Sequence, residues 1–523
     1  MVGSATPHEV HRAWKLGEEI ALIDLREEFV FADGHPLFAA CQPLSRLEIG
    51  IRDLIPRADT PIVLYGESDG QVNLAAGKLT ALGYTDVRGL AGGLEGWREA
   101  GLELFADVNS PSKAFGELVE HQRGTPYVTA LDLRERLDRN DNLVVLDARR
   151  FDEYQTMSIP TAVSVPGAEL VLRAGDLAPD PATTIVVNCA GRTRSIIGAQ
   201  SLINSGLPNP VMALRNGTIG WTLDELTLDY GQARTYAETP RERAAVRAQS
   251  ARAVSYRAGV RVIRAADLAA AAPAGRTVYR FDVRSLDEHR AGHPAGFRHV
   301  PGGQLVQETD MNVPVRGARI ILFDDRGARA HMTASWLAQM GWDVFVLEET
   351  GPALPLCSGD EPVQRIPAPA CALISPQDLA AQSAVRRLIL DLSSSTLHKK
   401  SHVAGARFIM RGRVSADLPK VDPATTIVLV SADDELARHA APEVAVLTSA
   451  PVVVLEGGTR SWADAGLPLE QGMADALSPC EDVYRRPYEG TDNPREKMQA
   501  YLDWEYGLVD QLRRDASHGF HVI

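Results

Sequence analysis

Ile185-Val-Val-Asn188, Cys189-Ala190-Gly191-Arg192-Thr193-Arg194-Ser195 and Ile196-Ile197 follow one another without a break. A short β-branched run, closed by a Gly-containing polar loop and followed by a helix-like segment, reads as a buried strand turning into a helix. Such a turn points successive backbone N–H groups inward with a helix N-terminus behind them, a nest that binds anions. A cysteine at its mouth is expected to have a lowered pKa, through those dipoles and through Arg192 and Arg194. The thiolate is then a nucleophile, and the arginines hold an anionic substrate. Gly191 is expected to supply the backbone freedom of the tight turn.

The same pattern recurs along the chain. A β-branched run ending in Asp-x-Arg appears as Leu22-Ile-Asp24-Leu-Arg26, Val144-Val-Leu-Asp147-Ala-Arg149 and Val278 to Asp282-Val-Arg284, with a degraded copy at Leu388-Ile-Leu-Asp391-Leu-Ser393. A second run follows each: Ile62 to Tyr65, Ile185 to Asn188, Ile320 to Phe323 and Ile427 to Val430. The spacing from Asp to the first loop residue is identical for Asp24–Gly66, Asp147–Cys189 and Asp282–Asp324, and two residues shorter for Asp391–Ser431. A glycine turn then runs into Trp97, Trp221 or Trp462, whereas the third copy has Glu349-Thr350 at that point. The tryptophans read as packing residues.

Strands alternating with helical segments imply βαβ units, hence an α/β fold of four tandem domains, each a small parallel sheet with helices on both faces. The boundaries read as 1–108, 109–233, 259–370 and 371–473, with a connecting helix or linker over 234–258 and a tail over 474–523. Gly83, Gly206 and Gly341 stand where helices should stop. In the tail, Glu496 to Arg514 is amphipathic and presents Met498, Tyr501, Leu502, Tyr506 and Leu508 for docking on the array or on a second subunit.

Composition narrows the function. The net charge of -14 disfavours nucleic acid and anionic membrane as partners, and obliges any anion site to override the global field locally. Met1 to Glu19 lacks the basic and apolar regions of a secretory signal, and no apolar run is long enough for a membrane span. Cys41, Cys189, Cys357, Cys371 and Cys480 form no CxxC pair, so neither disulfides, a metal site nor a cofactor is expected, and the setting reads as a reducing cytoplasm. Arginine outnumbers lysine, which points to a bacterial source.

The loop, Asp147-x-Arg149 and the glycine-to-tryptophan segment together resemble the rhodanese family of sulfurtransferases, over nearly the whole chain in four copies. The resemblance implies an active loop at Cys189 to Arg194, with Cys189 catalytic and Ala190, Gly191, Arg192, Thr193, Arg194 and Ser195 around the substrate. It implies a Cys189 persulfide loaded from a small-molecule donor and discharged to cyanide, a thiol or a protein acceptor. The two loop arginines favour a dianion such as thiosulfate, and the loop differs from the Cys-Gly-Ser-Gly-Val-Thr type associated with mercaptopyruvate. The family's Gly-His-Ile-Pro-Gly-Ala is Met157-Ser158-Ile159-Pro160-Thr161-Ala162 here, while the third copy keeps Gly292-His293-Pro294-Ala295-Gly296.

Gly66, Asp324 and Ser431 replace the nucleophile in the other copies, which are expected to be inactive scaffold, homodimer surface or a wall over the cleft. Asp147 and Arg149 recur in copies without a cysteine and so read as a supporting ion pair. A sulfur-relay or protein-binding scaffold is the main alternative. A phosphatase or arsenate reductase would need a wider loop, with its arginine where Ser195 stands.

Overall fold

The structure, a computed structural model, describes residues 2–348, 354–382 and 386–523, so the Glu349-Thr350 step lies outside the described residues. Four sheets share one parallel strand order, in which the first strand of each unit lies beside the last, and the first sheet adds one antiparallel strand from the third unit. In the second sheet the order is Tyr127–Val128, Val211–Leu214, Thr184–Asn188, Leu143–Asp147 and Val163–Ser164. The third repeats it as Arg261–Ile263, Asp343–Leu347, Arg319–Phe323, Val278–Asp282 and Arg298–His299. Central strands such as Thr184–Asn188 are buried at every residue, because helices cover both faces.

The repeated motif corresponds to one recurring strand register. Asp147 lies opposite Asn188, Asp24 opposite Tyr65, Asp282 opposite Phe323 and Asp391 opposite Val430, so each aspartate sits beside the residue that precedes a loop. Trp97, Trp221 and Trp462 are buried, and each indole N–H donates to a backbone carbonyl six residues on, at Glu103, Thr227 and Pro468. Gly83, Gly206 and Gly341 all have positive φ.

The units do not pack simply in chain order. The second meets the third where Gly167–Glu169 abuts Gly302–Gln307, and a Cβ on Gly303 would stand 3.3 Å from the Gly167 nitrogen. Correspondingly, the first meets the fourth through Arg411, which pairs with Glu48 at 2.9 Å and donates to the Ser45 carbonyl at 3.0 Å. Val315–Arg316 also crosses over to pair antiparallel with Ile20–Asp24 of the first sheet. The helix Arg241–Arg257 connects the second and third units and packs on Ala328–Gln339.

The tail ends in a helix, Arg495–Asp515, docked on Ser110–Arg123 and Gly217–Leu223. Met498, Tyr501, Leu502 and Leu508 are buried as the amphipathic pattern requires, while Tyr506 remains partly exposed. No helix among the described residues is long and apolar enough to cross a membrane.

Candidate active site

Cys189 stands at the C-terminal end of Thr184–Asn188, just before the helix Thr193–Asn204, where ligand crevices of parallel sheets form. Its thiol faces the Ser195 hydroxyl at 3.5 Å, and that hydroxyl donates to the Arg192 carbonyl at 2.8 Å. The Cys189 and Ala190 carbonyls accept from Thr218 and Ile219 at 3.0 and 2.9 Å. That contact requires Gly217: a Cβ there would lie 2.2 Å from the Cys189 oxygen. The N–H groups of Gly191, Arg192, Thr193 and Arg194 find no acceptor among the described residues, which leaves an open ring of donors.

The supporting pair lies below the loop. Asp147 and Arg149 are both fully buried; Arg149 Nε and Nη2 donate to the carboxylate at 2.9 and 2.7 Å, and Asn188 Nδ2 donates to it at 2.8 Å. Arg149 Nη2 also reaches the Met157 carbonyl at 2.6 Å.

The two loop arginines diverge. Arg194 makes a bidentate pair with Glu153 at 2.7 and 2.8 Å and lines a cavity of about 250 Å³ together with Arg149, Arg150, Arg486, Glu308 and Tyr488. Burial alone would raise the Glu153 pKa, but Arg194, with Arg149 and Arg150, holds it down at about 2. Arg192 points the other way: its guanidinium binds Glu117 at 2.7 and 2.8 Å, reaches Glu120, and stacks 4.2 Å from the Tyr506 ring centre. It therefore fastens the loop to Ser110–Arg123 and to the C-terminal helix, rather than facing the cavity. Thr193 backs onto Gly116, where a Cβ would lie 2.8 Å from its Cγ2.

Two expectations are corrected. Gly191 has no positive φ; its missing Cβ instead admits the C-terminal helix, since a Cβ would stand 3.2 Å from both Glu505 Oε2 and Tyr501 Cε1. The Cys189 thiol pKa is raised, not lowered, because burial outweighs the pull of Arg194 and Ser195. Cys189 is only 2% exposed, and Ala190 shares a cluster with Tyr488, Met498, Tyr501 and Leu502.

The other three loops are filled by their own side chains. Asp324 places its carboxylate on the N–H groups of Arg326 and Arg329 at 3.1 and 2.9 Å and pairs with the Arg329 guanidinium at 2.8 Å. Ser431 Oγ accepts from Ala437 N–H at 3.1 Å, and Gln71 Oε1 accepts from Glu67 N–H at 3.0 Å. The third loop is thus an anion nest that carries its own anion. Among these replacements, Asp324→Cys combined with Asp325→Ala is expected to take up sulfur more readily than Gly66→Cys or Ser431→Cys, all in a Cys189→Ser background, because of these three loops only the third carries arginines, Arg326 and Arg329. Intact mass after thiosulfate checks this; faster loading of Gly66→Cys would show that loop charge is not what governs uptake.

Cys41 is buried and lines a separate cavity of about 300 Å³ between the first and fourth units. No cluster of His, Cys, Asp and Glu among the described residues is placed to hold a metal. Glu153, Glu505, Arg486 and Tyr488 were not singled out from sequence. Glu505 could have been: it falls one turn beyond Tyr501 and one before Leu508, on the helix's apolar face.

The description "Rhodanese-like domain" matches residues 6–100, 129–224 and 375–465, and not the third unit. A crystal structure described as thiosulfate sulfurtransferase from Pseudomonas aeruginosa is 52% identical, covers 100% of both chains and superposes with a TM-score of 0.97. The Bacillus subtilis protein YrkF is 26% identical over 163 residues, 29% of this chain and 83% of its own. An uncharacterised Synechocystis protein is 33% identical over 95 residues, 18% of this chain and 51% of its own. With more than half its length matched and a full-length relative of the same architecture, the chain belongs to the rhodanese-like family.

Proposed function

We propose that this sulfurtransferase moves sulfane sulfur from an anionic donor such as thiosulfate, through a persulfide on Cys189, to cyanide, a thiol or a protein acceptor. The observation that carries the reading is the contrast between loops: the ring of N–H donors is open at Cys189, and its counterpart at Asp324 holds a carboxylate. In the loading step the Cys189 thiolate attacks the sulfane sulfur. The sulfur–sulfur bond of thiosulfate breaks, its electron pair leaves with sulfite, and the negative charge passes to the outer persulfide sulfur. Discharge reverses the roles, as the acceptor takes that sulfur and Cys189 leaves as thiolate.

On this reading Cys189 is the nucleophile, and the loop from Ala190 to Ser195 forms the anion seat. Arg194 faces the donor and Arg192 secures the loop. The cavity flanked by Arg149, Arg150, Arg194 and Arg486 is the donor's approach, where four guanidiniums offset the carboxylates of Asp152, Glu153, Glu308 and Glu489 within an acidic chain. The third unit, with the shared strand order, counts as a fourth rhodanese-like domain. The division into 1–108, 109–233, 259–370 and 371–473, joined by 234–258 and closed by the tail 474–523, follows. Ser195 bonds to the thiol and to the Arg192 carbonyl, so it cannot replace the arginine that phosphate-ester chemistry would need.

Intact mass after thiosulfate tests the reading. One added sulfur, removable by cyanide, is expected, and an enzyme that turns over phosphate esters without taking up sulfur would overturn it. Arg194→Ala is expected to raise the donor KM by roughly 10- to 100-fold, since a charge-assisted contact contributes about 1.5–3 kcal/mol and Glu153 would be left facing the donor. An unchanged KM would remove Arg194 from the donor site.

A further inference from the structure

Glu505 is 1% exposed, yet it lies on the face of the C-terminal helix that closes over the Cys189 loop. Its Oε1 accepts from the Tyr501 hydroxyl at 2.8 Å, whereas Oε2 is buried without a partner. That free oxygen stands against Gly191, 3.2 Å from where a Cβ would be, on the loop whose N–H groups lack acceptors. An orphaned buried carboxyl oxygen costs free energy.

We propose that Glu505 is a further catalytic residue: its carboxyl, in the neutral form, donates a hydrogen bond from Oε2 to the outer sulfur of the Cys189 persulfide. This rests on the reading of Cys189 given above. The bond adds one donor to the ring of N–H groups and stabilises the anion that loading creates. No proton is transferred and no further reactant is needed.

The surroundings keep the carboxyl neutral. Burial, then the nearby Glu117, pushes its pKa up to about 8, against the opposing pull of Lys113, Tyr501 and Arg192. Lys113 is itself tied to Asp107 at 2.7 Å and ringed by Tyr488, Tyr501 and Trp504, and Arg192 is engaged by Glu117 and Glu120, so neither cation is free to pair with Glu505. The sign follows: below about pH 8 the group is a donor, and above it a carboxylate faces the persulfide and repels it. A carboxylic acid held neutral by its site is an established kind of donor to a developing anion.

The test measures persulfide loading of full-length protein by intact mass after thiosulfate, across pH 6.5 to 9.5, for the native chain, Glu505→Gln and Glu505→Leu. Ionisation of Cys189 raises loading with pH in every variant, so the readout is the ratio of native to Glu505→Gln, which is expected to fall several-fold as pH rises through about 8. Glu505→Gln keeps an amide donor and cannot ionise, so it should load within two- to threefold of native at pH 7 and show no alkaline fall. Glu505→Leu should load at least tenfold less at pH 7, with its Tm retained. The glutamine variant, close in shape, keeps the test decisive if leucine disturbs the helix. A ratio of native to Glu505→Gln that stays constant across pH 8, or native-like loading of folded Glu505→Leu, overturns the proposal. Folded native protein that takes up no sulfur at any pH instead overturns the Cys189 reading, and this proposal with it.

Discussion

Cys189→Ser is expected to abolish sulfur uptake and turnover, while serine at Cys41, Cys357, Cys371 or Cys480 leaves most of both. Serine preserves the shape of the loop and its contact with Ser195, so the comparison isolates the nucleophile. A hydroxyl does not ionise at neutral pH and forms no persulfide, hence the loss is to background rather than partial. The other cysteines lack the setting: Cys357 and Cys480 are exposed, and Cys371 is half-buried. Cys41 lines the cavity between the first and fourth units, where burial followed by the carboxylates Asp24, Glu28 and Glu27 drives its thiol pKa well up, whereas at Cys189 Arg194 and Ser195 oppose the effect of burial. Intact mass after thiosulfate and a thiosulfate:cyanide assay read the result. Substantial turnover by Cys189→Ser would end the assignment.

What the chain discloses about itself divides along the line between local and distant. The repeat was legible because one register recurs: Asp147 lies opposite Asn188, and Asp24, Asp282 and Asp391 likewise lie opposite the residue before a loop. The loop itself was equally legible, since Cys189 to Ser195 is contiguous. The cavity was not. It draws Arg194 from the second unit, Glu308 from the third and Arg486 from the tail, segments with no pattern that links them in sequence. Arg192 and Arg194 look equivalent in the string, but they are two residues apart at a helix start and project to different sides, one to Glu117 and one to Glu153. The direction of the Cys189 pKa follows the same division: dipoles and loop arginines are local, while the burial that outweighs them is tertiary.

Asp147→Ala is expected to destabilise the second unit by about 3–5 kcal/mol, the range for removing one partner of a buried ion pair. The carboxylate receives four donors, from Arg149 N, Nε and Nη2 and from Asn188 Nδ2. Its removal strands a guanidinium that is 1% exposed, with only the Met157 carbonyl left to it. The recurrence of the pair where no cysteine follows argues that it supports the strand ends rather than the chemistry: Asp24–Arg26 and Asp282–Arg284 repeat the geometry at 2.6 and 2.7 Å. The degraded copy strengthens the point. There Ser393 takes the arginine's place, and the buried carboxylate of Asp391 still has a partner in His398 Nδ1 at 2.7 Å, as Asp282 has His289 beside its arginine. If desolvated charge is the cause, Asp147→Ala combined with Arg149→Met should recover much of the loss, because replacing both partners by apolar groups is far cheaper than orphaning one. Denaturant midpoints, with hydrogen exchange along Thr184–Asn188 to localise the effect, measure both variants. A single substitution that costs under about 1 kcal/mol, or a double variant no more stable than the single, would mean that the pair does not hold the strand ends beneath Cys189.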